Sequence, residues 1–334
     1  MSNSLIILIN HMGSGGCQKI VYDIVRNINY DNVYLVSRKG FYLEKINHQN
    51  IKFINRNGVL GFLRVLLLIF KARASGRILL HTHNRIDMIY KFLLSKFDMH
   101  IHTFHSAYLE NNLLMKFIKP KLAISISKVV SDYLNAYNIS SQLIYNGIDS
   151  DAVITKSIVN KENKKLNLLY VGRISSEKGV FELIESLSKI KTSYNLDIIG
   201  DGLLKSKCEG LSDNRVQFLG FKQDPWLNSQ KYDLVVIPSF YEGFCLVGLE
   251  AVSHNLPVIA NDLPIFREIL SFLPEELFFD INDYSSLEKS LLFYELNREI
   301  IFDLVKNNNK KLMCDFSSKN MIINYRNIYD KYLL

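Results

Sequence analysis

The feature that most constrains this chain is a grammar of short β-rich runs alternating with longer helical stretches, completed once and then begun again. In the first pass, residues 5–10 read as a buried strand and 13–16 as a glycine turn. Residues 17–28 then read as a helix, with Ile20, Ile24, Val25 and Ile28 at helical spacing. Strands come next at 33–37, 78–81, 101–104, 122–126 and 142–145, with helices at 60–74 and near 86–96. In the second pass strands are predicted at 168–171, 196–199, 216–218, 234–237 and 258–260, and helices at 179–190, 249–254 and 285–309. Strand–helix alternation builds parallel βαβ units. The chain is therefore predicted to be α/β, with two Rossmann-like, doubly wound domains facing each other across a central cleft. The first takes in residues 1–155, joined by a C-terminal helix at about 318–334 that is expected to cross back onto it; the second takes in 165–317. A polar, lysine-rich stretch at 156–167 reads as the linker.

The length of 334 residues exceeds the size at which one core usually keeps growing, which agrees with two domains. A hydrophobic share of 48% against 22% charged excludes a wholly disordered chain. Cys17, Cys208, Cys245 and Cys314 are scattered singly, which excludes a disulfide scaffold or zinc ribbon and suits a reducing cytosol. The apolar run at 5–9 has no basic flank and reads as a strand, so no secretory signal is expected. The most apolar stretch, 60–70, contains Arg64 and falls short of the roughly 20 residues that a bilayer crossing needs. Charge is divided unevenly: residues 1–150 carry 18 Lys/Arg against 8 Asp/Glu, and the remainder 22 against 25. A basic half points to an anionic partner such as nucleic acid, a phospholipid surface or a phosphorylated acceptor.

The densest chemistry lies at 238–251, Pro-Ser-Phe-Tyr-Glu-Gly-Phe-Cys-Leu-Val-Gly-Leu-Glu-Ala. It leaves one predicted strand and enters a predicted helix, so Glu242 and Glu250 fall at the carboxyl end of a strand, where open α/β sheets place ligands. Gly243 and Gly248 let the backbone approach such a ligand. A carboxylate accepts two hydroxyl protons at once, which is how proteins hold a ribose or hexose diol. Taken alone, Glu250 reads more readily as a helix glutamate favoured by the dipole, and Glu242 as a solvated loop charge.

The flanking residues shift that balance. Here the sequence resembles the retaining, metal-independent glycosyltransferases of family four, which have the GT-B fold, and it does so over most of the chain. Tyr170-Val-Gly-Arg-Ile-Ser-Ser-Glu-Lys-Gly179 is similar to the family's V-G-R-x-x-x-x-K-G segment, Ile199-Gly-Asp-Gly202 to its I-G-D-G turn and Val216-Gln-Phe-Leu-Gly220 to its V-x-F-x-G strand. Glu242 and Glu250 match its Glu-x7-Glu signature. The resemblance implies that Arg173 and Lys178 neutralise a nucleotide-sugar diphosphate in place of a metal, so that neither metal nor cofactor is required. It implies that Glu250 holds the ribose and Glu242 the donor sugar, with Gly172, Gly220, Phe221, Gly243, Phe244, Cys245 and Leu246 lining the donor. Stabilising the charge that develops on the diphosphate is usually the largest catalytic contribution. In the first half, Gly13-Ser-Gly-Gly16 resembles the family's G-G-x-E segment, so Gly15 and Gly16 join the donor contacts, with Gln18 where glutamate is common. His102-Thr-Phe-His105 resembles its T-x-H element, which makes His105 the candidate beside the donor sugar. His81 and His102 are expected to pack locally, and His83 is open between the two readings. No carboxylate or cysteine completes a recognisable zinc spacing. Tyr145-Asn-Gly-Ile-Asp149 resembles the N-G-V-D turn that closes the first domain.

Two departures fall near the implied sugar pocket: Asp262-Leu-Pro-Ile-Phe-Arg-Glu268 lacks the family's glycine pair, and Cys245 stands where glycine or proline is common. The activity implied is transfer of a hexose or N-acetylhexosamine, from a UDP-sugar, to a glycan or lipid-linked glycan in bacterial surface-polysaccharide synthesis (lipopolysaccharide, O-antigen or capsule). The acceptor is assigned to the first domain. Residues 60–77 set Arg64, Lys71, Arg73 and Arg77 among apolar residues, and 113–121 do the same with Lys116, Lys119 and Lys121. Such segments suit an anionic membrane surface, although 60–77 reads equally as a core-packing helix with a charged edge. A cytoplasmic protein, peripheral on the inner face of the cytoplasmic membrane, is the resulting expectation; nucleic acid is not, since no RNA-module signature is present. Two rivals stand beside this reading. An NADP-dependent oxidoreductase would use Gly13-x-Gly15 and Arg38-Lys39 but falters at Gln18. A catalytically inactive GT-B binding subunit would not need Arg173, Lys178, Glu242 and Glu250 together.

Overall fold

Runs of Ile, Leu and Val too short for helices form two all-parallel sheets. The computed structural model describes residues 3–46, 50–107, 118–149 and 165–334. They cluster into two units, Met1–Gly147 with Phe316–Leu334, and Ile148–Asp315.

In the first unit, β1 (Ser4–His11), β2 (Val33–Arg38), β3 (Ile51–Asn55), β4 (Ile78–Thr82), β5 (Met99–Phe104), β6 (Leu122–Ser125) and β7 (Ser141–Leu143) are ordered β3-β2-β1-β4-β5-β6-β7. Helices α1 (Gly16–Arg26), α2 (Gly58–Ser75) and α3 (Lys128–Ala136) connect them. Leu5 to Ile9 are fully buried, as a central parallel strand covered on both faces requires. Chain order reverses beside β1, since β2 and β3 extend one way and β4 to β7 the other. The loops at the carboxyl ends of β1 and β4 therefore diverge, and this is where an open sheet leaves room for a ligand.

The second unit repeats the plan. Its strands are β8 (Leu166–Val171), β9 (Tyr194–Ile199), β10 (Val216–Gly220), β11 (Leu234–Ile237), β12 (Val258–Asn261) and β13 (Phe278–Phe279), ordered β10-β9-β8-β11-β12-β13. Its helices are α4 (Val180–Lys189), α5 (Lys205–Leu211), α6 (Leu246–Ser253), α7 (Pro264–Ile269), α8 (Tyr284–Leu296) and α9 (Arg298–Asp315). The order reverses between β8 and β11.

The last helix, α10 (Ser318–Leu333), packs on the first unit and ties its two segments together. Tyr325 and Tyr329 are fully buried there. The Tyr329 hydroxyl lies 2.6 Å from His81 Nδ1, and the Tyr325 hydroxyl 3.1 Å from Thr103 Oγ1. Asn3 donates to the Leu333 carbonyl at 2.8 Å, and Tyr30 to Asp330 at 2.6 Å. A side chain at Gly147 would place its Cβ 2.4 Å from the Ser317 carbonyl oxygen, so the chain leaves and re-enters this unit at a point only glycine allows.

Several elements differ from the sequence expectation. Residues 85–93 form a 3-10 segment rather than an α-helix, and the single helix expected at 285–309 is two helices broken at Asn297. The strands β3 and β13 and the helices α3, α5 and α7 have no counterpart in that expectation. The expected boundary at 155 and most of the expected linker lie outside the described residues, as do residues 113–117 of the second basic segment.

Five histidines sit on or just beyond β4 and β5. His81, His83, His100 and His102 are buried, and burial holds all four below the ordinary imidazole range, His100 at about 3. Burial likewise lowers His105 to about 4. In the unfolded chain each would titrate near pH 6.5, so the unfolded state takes up protons first as pH falls. The stability they confer is complete above about pH 6.5 and is lost toward about pH 4, at up to about 1.4 kcal/mol per pH unit for each histidine. Acid denaturation followed by circular dichroism should show steep loss in that window with several protons taken up per chain. A flat stability curve between those limits would contradict the buried, neutral cluster.

Candidate active site

The strands β8 and β11 are neighbours where the second sheet reverses, and their carboxyl-end loops carry residues 172–179 and 238–245. The two loops are joined. Phe240 N–H donates to the Glu177 carbonyl at 3.0 Å. Gly179 has φ +64°, and a Cβ there would meet the Pro238 carbonyl oxygen at 2.1 Å, so only glycine permits this approach. It brings Lys178 Nζ to 2.5 Å from Glu242 Oε1, and the Ser239 hydroxyl donates to the same oxygen at 2.9 Å. Both charged side chains are largely buried, 25% and 11% exposed. Burial opposes the charge on Lys178, but the Glu242 carboxylate, with Cys245 nearby, outweighs it and holds the ammonium above the ordinary lysine range. Asn261 supports the loop from β12, donating to the Ser239 carbonyl at 3.0 Å.

Arg173 does not join this pair. Its guanidinium is 64% exposed and lies 3.4 Å from Glu177 on its own loop. Gly172 bonds back to the Ile199 carbonyl, and Gly200 to the Gly220 carbonyl, so the carboxyl ends of β8, β9 and β10 are laced together. Phe221 is 52% exposed just beyond β10. Gly243, Phe244 and Cys245 are buried, so the Phe244 ring is not presented to a ligand. Leu246 opens α6, whose first turn has no side-chain cap. Cys245 adopts φ +66°, a left-handed conformation that explains why glycine is common at the corresponding place in the resembled family. Burial, then the Glu242 charge, pushes its thiol well above the ordinary cysteine range. Where the glycine pair is missing, Asp262 and Arg267 form an ion pair at 2.7 Å beside α7.

Glu250 lies on α6, and its partner is one that sequence reasoning misses. Trp226, the only tryptophan, donates from its indole to Glu250 Oε2 at 3.1 Å and stacks on His254 at 5.3 Å. A lone buried tryptophan after Asp224-Pro225 is the one signal available.

In the first unit, Gly15 and Gly16 begin α1, which also has no side-chain cap. His105 lies just past β5, with Nε2 2.9 Å from His83 Nδ1. His81 packs on His83 at 4.1 Å, and His102 bonds to Thr82 at 2.8 Å, so those two are indeed held locally. Cys17 does approach His83 and His105, a grouping that sequence spacing conceals.

Because folding raises the proton affinity of Lys178, the stabilisation from its pair with Glu242 is complete below about pH 10.4, the unfolded value, and is lost as pH rises through the folded value. Glu242→Gln leaves a desolvated ammonium, which should cost about 1–3 kcal/mol at neutral pH and be partly recovered as pH rises toward about 10. Denaturant unfolding of both proteins across that range checks the crossover; parallel curves would show that the pair is not formed.

Comparison with known proteins agrees with this geometry. Residues 154–311 match the family model for glycosyl transferases group 1. The chain is 25% identical over 291 residues to an N-acetylgalactosamine-N,N'-diacetylbacillosaminyl-diphospho-undecaprenol 4-alpha-N-acetylgalactosaminyltransferase of Campylobacter jejuni, covering 77% of this chain and 80% of that one. It is 31% identical over 153 residues to a lipopolysaccharide 1,6-galactosyltransferase of Salmonella typhimurium, but that match covers only 42% of either chain. Among solved structures, Anabaena HepE in complex with UDP and glucose superposes with a TM-score of 0.80 over 99% of this chain and 100% of its own, at 16% identity. The oxidoreductase alternative falls with these matches. The chain is a glycosyltransferase of the GT-B fold, with a group 1 glycosyl transferase domain across residues 154–311.

Proposed function

We propose that the chain moves a hexose or N-acetylhexosamine from a UDP-sugar to a glycan or lipid-linked glycan in bacterial surface-polysaccharide synthesis, with retention of anomeric configuration and without a metal ion. The Lys178–Glu242 pair at the reversal of the second sheet carries this reading, because it sets a buried cation and a hydroxyl-accepting carboxylate where a ligand belongs. Support for the substrates comes from the names of the relatives, one acting on a diphospho-undecaprenol glycan and one on lipopolysaccharide, and from the UDP held by HepE.

On this reading the second unit holds the donor. Glu250 takes the ribose hydroxyls, Glu242 the sugar, and Arg173 and Lys178 the diphosphate. Gly172, Gly220 and Phe221 border the nucleotide, and the backbone from Gly243 to Leu246 borders the sugar and diphosphate. The family resemblance adds His105 beside the sugar and the amides of Gly15 and Gly16 toward the diphosphate. The bond from the anomeric carbon to the diphosphate oxygen breaks as the acceptor oxygen bonds to that carbon on the same face. The acceptor's proton passes to the departing phosphate, whose growing charge the two cations stabilise.

The test is a screen of UDP-, GDP- and CMP-sugars for binding and turnover. Glu250→Ala should weaken UDP binding about tenfold or more, the worth of a charge-assisted hydrogen bond. Lys178→Ala should lower turnover on the order of 100-fold with less effect on affinity. EDTA should leave turnover intact. Activity that survives both substitutions unchanged, or that EDTA abolishes, would overturn the assignment.

Attachment to an anionic membrane through the first unit belongs to the same proposal. No helix among the described residues is long and apolar enough to cross a membrane. However, α2 buries Val65, Leu68, Ile69 and Ala72 while leaving Leu60, Leu67 and Phe70 exposed, so its outer face is apolar as well as basic. Phe62 lies 5.7 Å from Tyr90, and the adjoining segment also exposes Ile86, Phe92 and Phe97. Arg64, Lys71, Lys91 and Lys96 are interspersed with these residues, which fits anionic lipid headgroups above an apolar interior. The chain should sediment with phosphatidylglycerol-containing vesicles, weaken with salt, and lose binding in Leu67→Glu/Phe92→Glu. Equal behaviour toward purely zwitterionic vesicles would refute it.

A further inference from the structure

Three metal-competent side chains meet at the reversal of the first sheet. Cys17 lies in the first turn of α1, His83 just beyond β4 and His105 just beyond β5, and β1, β4 and β5 are adjacent strands. One ligand atom from each lies within 4.8 Å of the other two. A tetrahedral zinc ion, with Zn–S and Zn–N distances of about 2.3 and 2.0 Å, spaces its ligands by about 3.5 Å. Side-chain adjustment of roughly 1 Å would therefore close the set around an ion.

Two further observations point to a ligand. His83 Nδ1 lies 2.9 Å from His105 Nε2, and the other ring nitrogen, Nε2, is buried with no hydrogen-bond partner among the described residues, a state that native proteins seldom tolerate. The His83 ring is also held in place. His81 packs on it at 4.1 Å and is itself fixed by Tyr329 at 2.6 Å and Thr103 at 2.8 Å. Metal sites depend on such outer contacts to orient their imidazoles. Cys17 and His105 remain partly exposed, which leaves an entry path.

We propose that Cys17, His83 and His105 form a site for a borderline-soft divalent cation, Zn2+ foremost, with a fourth position open to water. One thiolate and two imidazoles favour zinc over magnesium or calcium, which take oxygen ligands. The consequence for turnover rests on the function proposed above. A bound ion engages His105, the residue assigned to the sugar, so zinc inhibits the transferase and plays no part in its chemistry.

The test begins without any sugar donor. The full chain, stripped of metal, is titrated with Co2+ by absorption spectroscopy and with Zn2+ by calorimetry. One ion should bind per chain, with a thiolate-to-cobalt charge-transfer band that Zn2+ abolishes. Cys17→Ser should remove the band, and His83→Gln should weaken zinc binding about tenfold or more. No cobalt band in the folded wild-type chain, or a band that survives Cys17→Ser, would overturn the site. Turnover is then measured with added Zn2+, which should inhibit the wild type and spare Cys17→Ser. Binding without inhibition would instead remove His105 from the sugar contacts and leave the ion site standing.

Discussion

At the centre of the second sheet, apolar side chains on both faces leave the strand ends for polar groups. In the second unit, Leu166, Leu168 and Leu169 of β8 and Leu234, Val235 and Val236 of β11 are all buried, so the chemistry is confined to the loops at their carboxyl ends. Chain order reverses between β8 and β11, and Gly179 lets the loops that follow them touch. The Lys178–Glu242 pair depends on that arrangement, since the two loops meet where Gly179 passes beneath the Pro238 carbonyl.

The Lys178–Glu242 pair is costly to maintain for stability alone. Two charges withdrawn from water regain by mutual attraction about what desolvation removed, and hydrophobic replacements are often as stable. On the function proposed, its value lies in holding a cation dry and oriented before a ligand arrives. For a diphosphate to engage Lys178, the ammonium exchanges one anionic partner for another, and Glu242 is released toward hydroxyl groups. Arg173 needs no such exchange, since its exposed guanidinium is held loosely at 3.4 Å by Glu177. The two cations therefore differ in kind: one is preset by the fold and the other is recruited from solvent. A preset cation stabilises developing charge without reorganisation at the moment of reaction, which is the basis for giving Lys178 the larger part in turnover.

Much of this is legible from the chain because glycine, proline and short apolar runs mark strand ends wherever they occur. The alternation around residues 168–260 places Arg173, Lys178 and Glu242 between a strand end and the next helix, and Glu250 in the helix that follows, which is where the structure has them. The elements that escape do so for physical reasons. The edge strand β3, Ile-Lys-Phe-Ile-Asn, is only partly covered and carries no fully buried residue to mark it. Helix α3 has just Val130 and Leu134 buried, too few for a period, and its clearest signal is the Ser127 cap accepting from Val130 N–H. The break at Asn297 leaves the apolar pattern of α8 and α9 running on, because one residue folded back onto Phe293 and Tyr294 scarcely shifts the phase. The Trp226–Glu250 bond spans 24 residues, and no local pattern encodes a contact at that range.

The histidines show how a period of two sorts identical residues into different tasks. Thr82 of β4 is paired with His102 of β5, and with His100 it forms a network on one face of the sheet. His81, Thr103, His83 and His105 follow the opposite parity, so their side chains lie on the other face, where α10 packs. There the contacts form a continuous series: Tyr329 to His81 at 2.6 Å, His81 against His83 at 4.1 Å, and His83 to His105 at 2.9 Å. The series joins the C-terminal helix to the strand-end residues of the first sheet, and every ring in it stays neutral through burial. A proton taken up anywhere along it places a charge among partners already committed to one another. Docking of α10 and the setting of His105 are on this account one electrostatic event, and the same neutrality that holds the helix in place keeps the imidazole at the end of β5 available to a ligand.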